Sequence, residues 1–288
     1  MSNVILVNGL LTYDSGKTWF TIALAELLRR KGNTVAIYKP IAGHSAWYQF
    51  PTVIESLKHG ILIGEDVLKY KKLLGLNIDL ELVNPIDLLL APPNPKAYKN
   101  IIKYINALED QFHQVILFRI SDYRNKATSH YIIRDNIDKI VPGLSYWIDK
   151  LIDKLNPKEI LLTDLMRIMF SKKSLEILNR NLNILLENHD IVIVESFNDA
   201  AVPYIDVLDD VDVVFTVTPG YVFLLDREEF KSVVKEYYLK YGDMGLRMSN
   251  LLGRIRILFD TFISPSTSPV ELSYYIEKIN EIILKHIS

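Results

Sequence analysis

Hydrophobic positions along this chain fall into short unbroken runs, separated by stretches with a helical period. Asn3 to Asn8, NVILVN, is the first run. An unbroken apolar run of this length reads as a strand buried on both faces. A loop containing Gly9 and Gly16 follows, and Thr18 to Lys31, TWFTIALAELLRRK, takes up a different rhythm. Phe20, Ala23, Leu24, Leu27 and Leu28 recur at three- and four-residue spacing, the pattern of one helix face. Arg29, Arg30 and Lys31 suit a last helical turn, and Gly32 suits the C-cap. Thr34 to Tyr38, TVAIY, is a second buried strand. Residues 3–38 therefore spell strand, loop, helix, strand, which is one βαβ unit.

Four later runs have the same strand character: Gln114–Ile120, Asp190–Ser196, Val211–Thr218 and Arg254–Phe259. Continuous apolar strands separated by helical stretches predict an α/β fold with a mostly parallel sheet and helices on both faces. Residues 126–189 read as polar-rich and mostly helical, an insertion into a single domain spanning 1–288. There is no repeat, low-complexity tract or clear linker.

Composition narrows the function classes. The formal net charge of −2 gives no electrostatic case for nucleic acid or an anionic membrane as partner. The absence of cysteine removes disulfides, thiolate metal sites and a cysteine nucleophile. No basic–apolar–small leader opens the chain, and no apolar run reaches the ~20 residues that span a bilayer. A cytoplasmic setting is the expectation.

The loop GLLTYDSGKTW, Gly9 to Trp19, is where chemistry concentrates. It closes on Gly16, Lys17 and Thr18, the end of a phosphate-binding loop, although Leu11 stands where the common pattern has its first glycine. Its setting after a buried strand and at the start of a helix is the one such a loop requires. Successive amides and the helix N-terminus make an anion cradle there. Gly16 permits close backbone approach to phosphate, Lys17 reaches the β- and γ-phosphates, and the Thr18 hydroxyl ligates Mg²⁺. The loop as a whole, with Gly9, Thr12, Asp14 and Ser15, is the expected nucleotide cradle, and a P-loop NTPase fold of three layers follows from it.

Four stretches together resemble the dethiobiotin synthetase family of ATPases. The family loop reads roughly G-T-x-T-x-V-G-K-T, also without the standard first glycine. Here Gly9 takes the turn, and Thr12 matches the family's second loop threonine. YKPIAGHS, Tyr38 to Ser45, is similar to the family's Y-K-P segment. GEDVLKY followed by LVNP places Asp66 eighteen positions before Asn84. DIVIVES, ending in Glu195 and Ser196, is similar to the family's V-E-G-A-G-G. The likeness covers residues 1–95 and 190–230. It implies ATP and Mg²⁺ as cofactors, with Thr18, Asp66 and Glu195 on the metal. Lys39 would contact the acceptor, a small carboxylate or diamino-acid-like molecule, and the protein would be a homodimer. The implied reaction activates a carboxylate or carbamate by phosphoryl transfer for amide or ring formation.

Bland readings stand beside these. Asp66 also fits a helix N-cap, and Glu195 also fits a salt-bridged strand end. His44 reads as an ordinary polar loop residue without chemistry. Thr218, Pro219 and Gly220 are weaker candidates for a substrate-facing loop. The family's A-G-G is replaced by SFNDAA, Ser196 to Ala201, so Phe197 reshapes the substrate end. Two other functions stay open: a nucleotide switch whose 126–189 segment docks a protein, and a member that binds no nucleotide.

Overall fold

Two mixed sheets organise the chain in the computed structural model, which describes residues 2–12, 14–75, 79–242, 245–266 and 268–286. In chain order the strands are β1 (Asn3–Gly9), β2 (Val35–Tyr38), β3 (Ile41–Ser45), β4 (Ile86–Leu90), β5 (Val115–Asp122), β6 (Ala127–Ile133), β7 (Lys158–Ile160), β8 (Ile191–Glu195), β9 (Val211–Thr218), β10 (Tyr221–Leu225) and β11 (Ile257–Phe262). The first sheet has the order β11-β10-β9-β1-β8-β2, and the second β3-β4-β5-β6-β7. The chain divides the same way into two compact units. Met1–Pro40, Tyr70–Asn77 and Leu178–Ser288 hold the first sheet; Ile41–Lys69 and Ile78–Ile177 hold the second.

In the first unit β9, β1, β8 and β2 run parallel, as the unbroken apolar runs predict. Every residue of β8 is buried, as is all of β1 beyond Asn3. Strands covered on both faces need no alternation of polar and apolar residues, which is why these segments read as solid hydrophobic blocks. The helix Lys17–Arg30 returns the chain between β1 and β2 and buries Phe20, Ile22, Ala23, Leu24, Leu27 and Leu28. Phe20 meets Phe215 of β9 edge to face, with ring centroids 5.5 Å apart. Each of the buried Phe, Ile and Leu side chains contributes about 1.5–3 kcal/mol.

The parallel character stops at β9. β10 and β11 are antiparallel additions, and the run expected at Arg254–Phe259 is realised as the edge strand Ile257–Phe262. Thr218, Pro219 and Gly220 form the tight turn from β9 into β10, with Gly220 left-handed at φ 82°. Proline followed by a left-handed glycine is turn chemistry and accounts for these residues without a ligand.

The second unit is built around a sheet with antiparallel pairs at its centre. β5, expected at Gln114–Ile120 within a parallel sheet, pairs antiparallel with both β4 and β6. The connection to β6 turns at Asn125, whose amide donates to Asp122, and at left-handed Lys126. β3 with β4 and β6 with β7 are parallel. The segment 126–189 carries β6 and β7 as well as the helices Arg134–Ile137, Ser145–Leu155, Leu162–Met169 and Lys172–Asn188. The reading of that segment as mostly helical therefore misses two strands, both of them too polar to stand out as apolar runs.

Asp87, Arg119 and His130 face one another across β4, β5 and β6 as register partners, all buried. His44, read from the sequence as a loop residue, lies in β3 with only 2% of its surface exposed. Its Nδ1 is 2.7 Å from Thr52 Oγ1 and its Nε2 3.2 Å from Asp87 Oδ2. Among the described residues no helix is long and apolar enough to cross a membrane.

Candidate functional site

The loop after β1 folds back on the strand that precedes it. Among its described residues Asp14, φ 51°, and Gly16, φ 90°, are left-handed. Gly9, expected to supply the turn, instead closes β1 and supplies space. A Cβ there would overlap Ser15 Oγ and come within 3.0 Å of Lys17 Cδ and Cγ. With no side chain at residue 9, Ser15 and Lys17 pack directly against the strand; a methyl there would force both side chains to shift. Leu10 N donates to Val217 O at 3.1 Å, which fixes the loop's start against β9. Thr12 is part-buried on the way into the turn, and Asp14 is exposed.

The helix Lys17–Arg30 starts without a side-chain cap; Gly16 stands at the N-cap position. Its first amides therefore have no side-chain acceptor from the cap residue, the condition under which a helix start receives an anion. Lys17 points inward and is 8% exposed. Its ammonium donates to Ser15 Oγ at 3.0 Å and to the Asn198 carbonyl at 2.6 Å.

Asn198 was not legible as a partner of Lys17. It lies in the turn after β8, with φ 45°. Asparagine enters the left-handed region more readily than other side-chain-bearing residues, so the Asn-Asp pair was the available signal. The turn is held by Ser196 Oγ donating to Ala200 O at 2.7 Å and by Ala201 N donating to Leu246 O at 2.7 Å. Asn8 of β1 reaches the same turn: its Nδ2 donates to Ala201 O at 2.9 Å while its Oδ1 accepts from Thr216 Oγ1 at 2.7 Å.

Glu195 ends β8 beside Val7 of β1 and is completely buried. A carboxylate withdrawn from water requires charge and hydrogen-bond partners. Lys39 Nζ donates to Oε1 at 2.6 Å and Thr18 Oγ1 to the same oxygen at 3.0 Å. The Tyr70 hydroxyl donates to Oε2 at 2.7 Å. Lys39, which directly follows β2, also donates to Ser196 O at 3.1 Å.

Thr18, Lys39 and Glu195 thus come together, and Lys17 with Ser15 sits on the adjoining turn. They stand at the C-terminal ends of the neighbouring parallel strands β1, β8 and β2, the edge where open α/β sheets place ligands. Asp66 lies in the first turn of the helix Glu65–Leu74, in the second unit. It is the second residue of the helix and not its N-cap, and a carboxylate there complements the helix N-terminus. Tyr70, on the same helix, was missed because a tyrosine with helical spacing looks like core.

Thr18 Oγ1 and Glu195 Oε1 are the oxygens from which a small hard cation would draw protein ligands here. Among the described residues no group of three or more His, Asp or Glu side chains is placed to hold a metal unaided. Thr18 Oγ1 and Glu195 Oε1 are 3.0 Å apart. Adjacent oxygens of an octahedron with bonds of about 2.0–2.1 Å are separated by roughly 2.9 Å, so the pair fits one edge around Mg²⁺. Compared with family models, curated proteins and solved structures, the chain matches none.

Proposed function

We propose that this chain is a Mg²⁺- and ATP-dependent enzyme with the P-loop architecture and chemistry of a dethiobiotin synthetase-like ligase, activating a carboxylate or carbamate for amide or ring formation. The observation that carries the reading is the meeting of Thr18 and Lys39 on Glu195 Oε1, next to the turn that holds Lys17. A hydroxyl at the start of a helix joined to a carboxylate at a strand end is the arrangement that shares a magnesium ion with a nucleotide's phosphates.

In this reading the amides at the start of helix Lys17–Arg30 and the Lys17 ammonium neutralise the polyphosphate. Thr18 and Glu195 would hold Mg²⁺, which when bound would supply charge neutralisation at the transferring phosphoryl group. Asp66 as a further ligand rests on the resemblance alone. Lys39 balances the buried charge of Glu195, and an acceptor carboxylate approaching that strand edge would compete for its ammonium. The protein contributes positioning and charge neutralisation rather than a covalent intermediate.

Calorimetry with Mg-ATP tests nucleotide binding: the wild-type protein gives saturable heat and Lys17→Ala loses at least about tenfold in affinity, on the scale of one charge-assisted contact. Negligible heat from both proteins would remove the nucleotide reading. A screen of small carboxylates and diamino acids for stimulated ADP release then tests the ligase chemistry. Turnover that responds to a protein partner and to none of these molecules would replace it with a nucleotide switch.

A further inference from the structure

The two oxygens of Glu195 are held in different ways. Oε1 is shared by Lys39 Nζ and Thr18 Oγ1, while Oε2 accepts from the Tyr70 phenol. Tyr70 is 1% exposed, and it shares the buried side of helix Glu65–Leu74 with Val67 and Leu74, spaced at three and four residues. Its ring is locked by packing, so the hydroxyl is delivered to a fixed point. The last torsion of a glutamate is broad, and a contact on the far oxygen, added to the Lys39 ion pair on the near one, fixes the tilt of the carboxylate plane. The phenol also suits the task chemically: it donates one hydrogen bond and brings no charge to compete with a cation.

We propose that Tyr70 is a positioning residue for Glu195, holding the carboxylate plane from one side so that the oxygen shared by Thr18 and Lys39 is kept at the angle a divalent cation needs. This rests on the nucleotide-site reading above. Groups that orient a metal ligand through its far side typically change metal affinity 10–100-fold when removed, and Tyr70 stands in that relation to Glu195.

The test uses Mn²⁺ as probe, titrated in the presence of a non-hydrolysable ATP analogue, with free Mn²⁺ read by electron paramagnetic resonance. Tyr70→Phe keeps the ring and is expected to weaken Mn²⁺ binding about 10–100-fold, leaving metal-free affinity for the analogue unchanged. Tyr38→Phe is the control. It removes a buried phenol that donates to Leu178 O at 2.8 Å in the same unit, and it should keep wild-type Mn²⁺ affinity. Wild-type Mn²⁺ affinity in Tyr70→Phe, with Glu195→Gln impaired, would overturn the positioning role while leaving the site intact. Absence of Mn²⁺–analogue binding in the wild-type protein would instead overturn the nucleotide reading, and this inference with it. A 3-fluorotyrosine at position 70 supplies a readout without loss of the hydroxyl. Its fluorine resonance should shift when Mg²⁺ and analogue are added together, and an unmoved resonance would also overturn the proposal.

Discussion

Lys39 Nζ lies 2.6 Å from Glu195 Oε1, with the lysine side chain 4% exposed and the carboxylate fully enclosed. The two residues are 156 positions apart and join the end of β2 to the end of β8. Removing one partner of such a pair leaves an uncompensated buried charge.

Lys39→Met is therefore expected to destabilise the protein by about 3–5 kcal/mol, measured by urea unfolding. The double variant with Glu195→Gln should recover much of that loss, because Gln still accepts a hydrogen bond at this position without carrying charge. A Lys39→Met protein as stable as wild type would show that the pair is not what holds these strand ends together.

Gly9→Ala and Gly32→Ala separate crowding from backbone strain. Gly32 has φ 93° and open space where a methyl would stand, with no atom within 4 Å, so its cost is conformational, about 1–2 kcal/mol. Gly9→Ala instead drives a methyl into Ser15 and Lys17. By displacing these two side chains it should weaken nucleotide binding, whereas Gly32→Ala preserves it. Equal affinity in the two variants, followed by calorimetry, would contradict the close-packed loop.

Thr18→Ser keeps the hydroxyl facing Glu195, and Thr18→Ala removes it. The serine variant should retain the Mg²⁺-dependent part of nucleotide affinity. The alanine variant, left with Glu195 and the phosphates, should show a much smaller difference between Mg²⁺ and excess EDTA. Mg²⁺ dependence as large as wild type in Thr18→Ala would take the metal away from this hydroxyl.

His130 carries a pH dependence. Burial, reinforced by the neighbouring Arg119 guanidinium, pushes its imidazole down to about 4, with Asp87 and Glu81 opposing. The unfolded chain then binds a proton near the ordinary histidine value while the folded chain stays neutral. Stability from this group is complete above pH ~6.5 and falls as pH drops toward about 4, by up to roughly 3 kcal/mol. In His130→Asn the unfolding free energy should lose less between pH 7 and 4.5 than in wild type. Parallel curves for the two proteins would exclude the histidine as the source.

Parts of this picture were legible in the sequence because they are local. The block Val4 to Val7 and the three-and-four spacing from Phe20 to Leu28 each report burial within a few residues of themselves. Glycines at 9 and 16, followed by Lys17 and Thr18, mark a strand–helix turn whatever surrounds it. Strand direction is not encoded that way. Val115 to Ile120 is as apolar as β8, yet it lies between antiparallel neighbours. β6 and β7 carry enough polar residues to pass for helix or loop.

By itself the chain's order of residues determined the βαβ start, the buried strands β1, β2, β8 and β9, and the small-residue turn ahead of a lysine. Only the tertiary structure decided that there are two sheets, that Gly9 serves by lacking a side chain rather than by turning, and that Asn198 receives Lys17. It also decided that Tyr70, 125 positions away, donates to Glu195. Backbone rhythm is set by neighbours three or four residues distant. A buried carboxylate's partners are chosen by which distant donors the sheet order brings within hydrogen-bond reach, and that choice leaves no periodic trace in the sequence.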